Sequence, residues 1–253
     1  MRKIALITGA TAGFGKAIAE RLAKEGFNLI ITGRRAERLD ELKNQLEKDN
    51  GISVLPLSFD VRCYEEVEKN LGHLPSEWKN IDILINNAGL AVGLNPIHKG
   101  EIDDWERMID TNIKGLLYVT RLVSPVMVER KSGHIINIGS IAGREVYPNG
   151  NVYCATKHAV AALSQAMRID MLQYGIKTTL VAPGFAETEF SLVRFKGDHD
   201  RADRVYDGMT PLTAEDVADA VYFAISAPDH VDIQDVLVMP KAQASGSLFH
   251  REK

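Results

Sequence analysis

Lys3-Ile-Ala-Leu-Ile-Thr8, followed by Gly9-Ala-Thr-Ala-Gly13-Phe-Gly15, is the stretch that decides the fold. Its first half is a short apolar run of the buried-strand kind, and its second half breaks into glycines before a helical pattern through Ile18, Leu22 and Ala23. Strand, glycine loop and helix in that order form a dinucleotide-binding opening. Glycines permit a tight turn and close backbone approach, and the free N–H groups of the helix start face a pyrophosphate. The contributing positions are Gly9, Ala10, Thr11, Ala12, Gly13, Phe14 and Gly15. Their spacing is Gly-x-x-x-Gly-x-Gly rather than Gly-x-Gly-x-x-Gly, and the alternative reading is a plain turn.

Moving outward, Asn28 to Thr32 reads as a second strand that ends in Gly33, Arg34 and Arg35. An acidic residue there would bond a ribose 2′-hydroxyl and repel a 2′-phosphate, whereas two arginines attract the phosphate, so the expected cofactor is NADP. The bland alternative is that both arginines simply open the charged helix from Ala36 to Lys48. Ile52 to Phe59 is a third strand leading to Asp60 and Val61, where a carboxylate could meet an adenine amino group. A helix from Tyr64 to Leu71 follows. Ile81 to Ile85 is a fourth strand and runs into Asn86, Asn87, Ala88 and Gly89, which suit crowding beside a ribose or form only a tight turn.

Asp103 opens a long helical pattern that contains Asn112, a mediocre helix former that needs a local reason such as a kink or a bound water. After the apolar run His134 to Gly139 come Ser140 and then Tyr153-Cys-Ala-Thr-Lys157. On a helix from about Val152 to Gln173, that phenol and ammonium lie one turn apart on one face. A fixed cation lowers a phenol pKa from its usual value of about 10, so the pair can exchange a proton with an alcohol oxygen while Ser140 hydrogen-bonds the same oxygen. Ile176 to Val181 forms the sixth strand, closed by Pro183 and Gly184. Alternating apolar strands and amphipathic helices predict one α/β domain over 1–253, a doubly wound parallel sheet with helices on both faces. The glycine loop, Asp60, the Asn-Asn-Ala-Gly turn, Ser140 and Pro183 all follow strand ends, where such sheets bind ligands.

Composition narrows the function. A chain of 253 residues with 45% hydrophobic and 25% charged residues and a net charge of −4 reads as an ordinary soluble protein and argues against a general nucleic-acid binder. Its apolar runs fall short of the roughly 18 residues of a membrane span, and the start reads as a strand rather than a signal peptide, so the expected location is the cytoplasm. Two cysteines, Cys63 and Cys154, form no Cys-x-x-Cys pair, and seven scattered histidines give no metal-ligand spacing, so no metal is expected.

Together, Thr8 to Gly15, Asn86 to Gly89, Asn112, Ser140, Tyr153-x-x-x-Lys157 and Pro183-Gly184 resemble the short-chain dehydrogenase/reductase family over essentially the whole chain. The resemblance implies a seven-stranded Rossmann-like sheet with Asp235 to Pro240 as its last strand, and a homotetramer built through long helices. It implies that Tyr153 is the general acid/base, that Lys157 tunes it and holds the nicotinamide ribose, that Ser140 orients the substrate oxygen, that Asn112 anchors a relay water, and that Thr188 contacts the nicotinamide carboxamide. Gly33 to Arg35, Ser140 to Gly143, Glu189 to Gly197, Leu212 to Ala218 and Met239-Pro240 are similar to a branch of NADP-dependent 3-hydroxy acid dehydrogenases. That branch acts on serine, allo-threonine and 3-hydroxypropionate, the last in reverse as malonic semialdehyde reduction. The expected function is therefore hydride transfer between NADP(H) and a small 3-hydroxy acid. A broad NADPH carbonyl reductase and a non-catalytic NADP sensor are the alternatives. In the expected lid, about 187–210, Arg194 offers a fork to the substrate carboxylate, and Arg144 is the rival cation.

Overall fold

The apolar runs become strands of one sheet. The computed structural model describes residues 2–252. Its strands are β1 (Ile4–Ile7), β2 (Asn28–Gly33), β3 (Val54–Ser58), β4 (Ile83–Asn86), β5 (Gly133–Ile138), β6 (Ile176–Pro183) and β7 (Asp235–Val238). They form a 7-stranded sheet in the order β3-β2-β1-β4-β5-β6-β7, every pair parallel. The chain winds outward from β1 to β3 and then crosses back to β4, so the strand order reverses between β1 and β4. A crevice opens above that switch point, at the carboxyl ends of the strands.

Connecting the strands are α1 (Gly13–Lys24), α2 (Ala36–Asn50), α3 (Tyr64–Leu71), α4 (Ile102–Ile109), α5 (Leu116–Arg130) and α6 (Asn151–Met171). Two short helices, α7 (Phe190–Arg194) and α8 (His199–Asp203), follow β6, and α9 (Ala214–Ser226) leads to β7. Side chains alternate across each strand, so successive residues enter opposite cores. Ala5, Ile7, Leu29 and Ile31 pack with Ile18, Leu22, Leu39 and Val221 on the face covered by α1, α2 and α9. Ile4, Leu6, Ile30 and Leu84 pack with Val67, Val119, Met127 and Val160 on the face covered by α3, α5 and α6. Burial of each such isoleucine, leucine, valine or methionine side chain contributes about 1.5–3 kcal/mol.

The helix expected from Asp103 onward is not continuous. Between α4 and α5 the residues Asp110–Gly115 form a turn of π-helix, and Asn112 lies within it, buried. The wider turn lets a helix carry an inward polar side chain without breaking, which is the local reason that residue required. Helix ends follow local chemistry: Gly51 closes α2 in the left-handed conformation, and Thr213 with Asp216 forms a capping box that starts α9. Among the described residues no helix is long and apolar enough to cross a membrane, and both cysteines are free.

Two buried polar groups cross the sheet. Asn86 Nδ2 donates to Thr120 Oγ1 and to Asn137 Oδ1, both at 2.9 Å, and Asn137 Nδ2 donates to Ser164 Oγ at 2.9 Å. Asn86 and Asn137 are directly paired across β4 and β5. His134 sits lower in the sheet, with Nε2 2.8 Å from Thr179 Oγ1, whose own hydroxyl donates to the Ile233 carbonyl. The imidazole must therefore be the donor to Thr179. Burial, helped by the charges of Lys177 and Lys3, pushes His134 down to about 3.

This histidine makes stability pH-dependent. Between its folded value and the ordinary imidazole value near 6.5 the unfolded chain binds the extra proton, so stability is full above that window and falls with acidification, by at most about 1.4 kcal/mol per pH unit. His134→Gln is expected to flatten the wild-type slope of unfolding free energy between pH 6.5 and 4, measured by urea titration. Parallel slopes in the two proteins would show that His134 is not held neutral.

Candidate active site

The site is assembled from the loops above the switch point. Gly9 turns the chain at φ +70, and a Cβ there would stand 3.0 Å from Ala88 Cα. At Gly15 a Cβ would lie 2.3 Å from the Gly9 carbonyl oxygen, so the first turn of α1 can pack against the loop only without a side chain. Ala12, the N-cap residue, offers no side-chain cap, and the first turn of α1 carries no acid. Its N–H groups are left to an anionic ligand, which fits a pyrophosphate. Asn87 Nδ2 donates to the Thr8 and Gly9 carbonyls at 2.8 and 3.2 Å, while the N–H groups of Asn87 and Ala88 both donate to Thr8 Oγ1 at 3.0 Å. The β1 and β4 loops are thereby locked together, and Gly89 lies beside Asn112 and Lys157.

The β2 arginines separate. Arg35 donates through Nε and Nη2 to Thr11 Oγ1 at 3.2 and 2.8 Å, and through Nη1 to Glu189 at 3.2 Å. Arg34 is largely exposed, and its Nη1 lies 3.9 Å from Asp60. Asp60 is gripped instead by Arg62, through the guanidinium at 2.7–3.1 Å and the backbone N–H at 3.0 Å. Burial opposes ionisation of Asp60, but these bonds outweigh it and hold the carboxyl below its ordinary value. Val61 beside it is buried. Past β6, the Gly184 N–H donates to Val238, and Thr188 stands over Gly13 with its Oγ1 accepting the Phe190 N–H at 3.2 Å. Phe14 and Ala10 pack into the core beneath the loop.

Tyr153, Lys157 and Ser140 converge beneath the 187–210 segment. Tyr153 and Lys157 are both buried one turn apart on α6, as the spacing predicts. Their electrostatics correct the expectation that Lys157 lowers the phenol pKa. Burial dominates and, with the nearby Tyr147, raises the Tyr153 pKa, against which the Ser140 hydrogen bond and the Arg194 charge pull only partway. Lys157 Nζ donates to the Ile138 carbonyl at 2.9 Å and lies 5.9 Å from the centre of the Tyr153 ring, and burial lowers it to about 8. A phenol in this setting stays protonated at neutral pH. Ser140 Oγ accepts the Ala142 N–H at 3.1 Å, which fixes the hydroxyl at the end of β5.

Asn112 is engaged on every edge of its amide. Oδ1 accepts the Leu90 N–H at 2.8 Å, and Nδ2 donates to the Leu90 carbonyl at 2.9 Å and to Thr156 Oγ1 at 3.0 Å. Thr156 in turn donates to the Tyr153 carbonyl at 2.8 Å. With both Nδ2 hydrogens spent on protein acceptors, a relay water finds no donor on this side chain.

Arg194 and Arg144 differ sharply. Arg194 ends α7 with its guanidinium carbon 5.7 Å from the centre of the Tyr153 ring, and Nη2 donates to Tyr147 Oη at 2.9 Å. Its Nε is buried without a partner among the described residues. Arg144 is ion-paired with Asp235 at the start of β7. The loop after β4 meets the lid directly: the Gly93 N–H donates to the Arg194 carbonyl at 3.0 Å, and Lys196 pairs with buried Asp104 at 2.9 Å.

The profile of the family described as short chain dehydrogenase matches residues 3–197. The chain belongs to this family. It is 50% identical over 250 residues to the NADP-dependent 3-hydroxy acid dehydrogenase of Salmonella typhimurium, covering 98% of this chain and 99% of that one. It is 42% identical over 252 residues to the NADP-dependent 3-hydroxy acid dehydrogenase of Schizosaccharomyces pombe, covering 99% and 97%. Among solved structures, the closed form of serine dehydrogenase complexed with NADP+ superposes with a TM-score of 0.91 at 49% identity, covering 99% of this chain and 100% of that one.

Within this short-chain dehydrogenase, four residues take parts that the sequence reading did not assign to them. Thr8 joins two loops, Thr156 links Asn112 to Tyr153, Tyr147 holds Arg194, and Arg38 shares Glu189 with Arg35. Only Arg38 had a sequence signal, standing about one helical turn from Arg35. Asn112→Ala leaves the Leu90 groups and Thr156 without this partner, and is expected to cost about 2–4 kcal/mol in stability together with at least a tenfold loss of turnover. Chemical denaturation read beside a rate assay checks it. Unchanged stability would show that the amide bonds are incidental.

Proposed function

We propose that this short-chain dehydrogenase moves hydride between NADP(H) and a small 3-hydroxy acid, with serine, allo-threonine and 3-hydroxypropionate or its semialdehyde as the candidate substrates. The observation that carries the substrate class is Arg194, a guanidinium standing beside the Tyr153 ring with a buried, unpartnered Nε among the described residues. In a 3-hydroxy acid one carbon separates the carbinol from the carboxylate, so a molecule a few atoms long can reach both groups. The relatives named above support the same class and the same cofactor.

NADP, when bound, supplies or accepts the hydride. The uncapped start of α1 takes its pyrophosphate, Arg35 its 2′-phosphate, and Asn87, Ala88, Gly89, Lys157 and Thr188 surround the ribose and nicotinamide end. In reduction Tyr153, which its raised pKa keeps protonated, donates its proton to the substrate oxygen, and in oxidation the transfer reverses. Ser140, whose hydrogen bond pulls the phenol pKa down, holds the substrate oxygen in line, and the part left to Lys157 is to hold the ribose. Asn112 positions α6 through Thr156 rather than touching substrate. Phe190, whose ring centre lies 5.7 Å from that of Tyr153, excludes water from the site. Survival of tyrosine, lysine and serine together disfavours a sensor without catalysis. Cytoplasmic location and self-association as a tetramer belong to the same proposal, the latter supported by Leu117 on α5 and Ile169 on α6, apolar side chains left exposed.

Substitutions at two positions test this reading. Tyr153→Phe is expected to cut turnover by about 10² to 10⁴ with NADPH affinity nearly intact, because only the titrating oxygen is lost. Most of the activity surviving would sink the tyrosine assignment. Arg194→Ala should raise KM for serine and 3-hydroxypropionate while sparing small neutral alcohols, and Arg194→Lys should recover only part, since it keeps the charge without the fork. Equal losses on charged and neutral substrates would assign Arg194 a structural part instead.

A further inference from the structure

The arginine fork at the nucleotide end of the crevice already grips an anion, and that anion belongs to the lid. Arg38 Nη1 lies 2.9 Å from Glu189 Oε1 and 3.3 Å from Oε2, and Arg35 Nη1 lies 3.2 Å from Oε2. Glu189 is the residue immediately before α7, so one carboxylate ties α2 to the helix that ends in Arg194. Through its Nε and Nη2 Arg35 also holds Thr11 of the phosphate loop. Loop, fork and lid therefore meet at a single point. Burial opposes ionisation of Glu189, but the bonds from Arg38 and Arg35 outweigh it and keep the carboxyl below its ordinary value, so it is charged at neutral pH.

Two cations and one carboxylate leave this cluster with one positive charge. A monoester phosphate brings about 1.5 to 2 negative charges and three strong acceptor oxygens. It satisfies two guanidinium forks better than a carboxylate does, but it cannot share them with Glu189 at contact distance without like-charge repulsion. Half-exposed ion pairs of this kind hold weakly, which makes Glu189 displaceable. We propose that Glu189 is an internal competitor of the NADP 2′-phosphate: the phosphate takes Arg35 and Arg38 from it, and that exchange frees the start of α7. This rests on the NADP reading above and adds Arg38 as the second arm of the fork. Affinity for NADP and the position of the segment bearing Arg194 then form one linked equilibrium, in which each shifts the other by the same factor. NAD, which lacks the phosphate, has no such exchange to make.

Glu189→Gln keeps the size of this half-exposed side chain and removes its charge. Calorimetric titration of the variant is expected to show NADP+ and adenosine 2′,5′-bisphosphate bound about three- to tenfold more tightly than by wild type, with NAD+ changed less than about twofold. Without nucleotide, trypsin should cut the variant faster than wild type at Lys196, Arg201 and Arg204, because the lid has lost its anchor. Arg38→Ala should weaken NADP+ at least tenfold and leave NAD+ nearly unaffected. If wild type prefers NADP+ yet Glu189→Gln binds it no more tightly, the competition is overturned and the cofactor reading stands. If wild type binds NAD+ as well as NADP+ and does not bind the bisphosphate, both fall together.

Discussion

One buried amide holds α6 in register with the rest of the candidate site. Asn112 bonds both backbone groups of Leu90 and the hydroxyl of Thr156, which passes the restraint to the Tyr153 carbonyl. These contacts join the loop after β4, the π turn between α4 and α5, and the first turns of α6. Each element alone has freedom that the chemistry does not tolerate. A helix rotated by a fraction of a turn would aim the phenol away from Ser140. The unusual helical turn is the cost of bringing that amide inward, and it is found where π turns often occur, beside a functional site.

The site is also expensive to fold. Tyr153 and Lys157 are both withdrawn from water, and burial moves each pKa toward its neutral form. The cost near neutral pH falls on Lys157, whose buried ammonium is set among the described residues against one backbone carbonyl, whereas the Tyr153 phenol is neutral there in the folded and the unfolded chain alike. The cores on the two faces of the sheet, built from alternating strand residues, offset that cost. Chemistry at the strand ends is carried by packing beneath them.

Much of this was legible in the sequence, for identifiable reasons. Glycines that no side chain could replace, as at Gly9 and Gly15, leave a spacing that can be read directly. So does a tyrosine and lysine pair one turn apart on a helix. The direction of the Tyr153 shift was not legible, since it depends on how deeply the phenol is buried, a property of the assembled fold. The division of labour among Arg34, Arg35 and Arg38 was hidden for a similar reason: Arg34 faces Asp60, while Glu189, the shared partner of the other two, is 154 residues from Arg35 and meets it only once β6 has returned the chain to the crevice. Arg144 and Arg194 looked equivalent as cations, and a single partner, Asp235, separates them.

The paired amides of Asn86 and Asn137 reach beyond the site they underlie. Parallel strands made of isoleucine and leucine have little to distinguish one alignment from the next, because neighbouring side chains are nearly interchangeable. Two amides that face each other across β4 and β5, and bond on to Thr120 and Ser164, are not interchangeable with anything around them. A slip of one residue would swing each of them to the opposite face, among aliphatic side chains with no acceptor in reach. The polar pair thus acts as an indexing pin, and the misaligned sheet is penalised before any ligand is present to reveal the error.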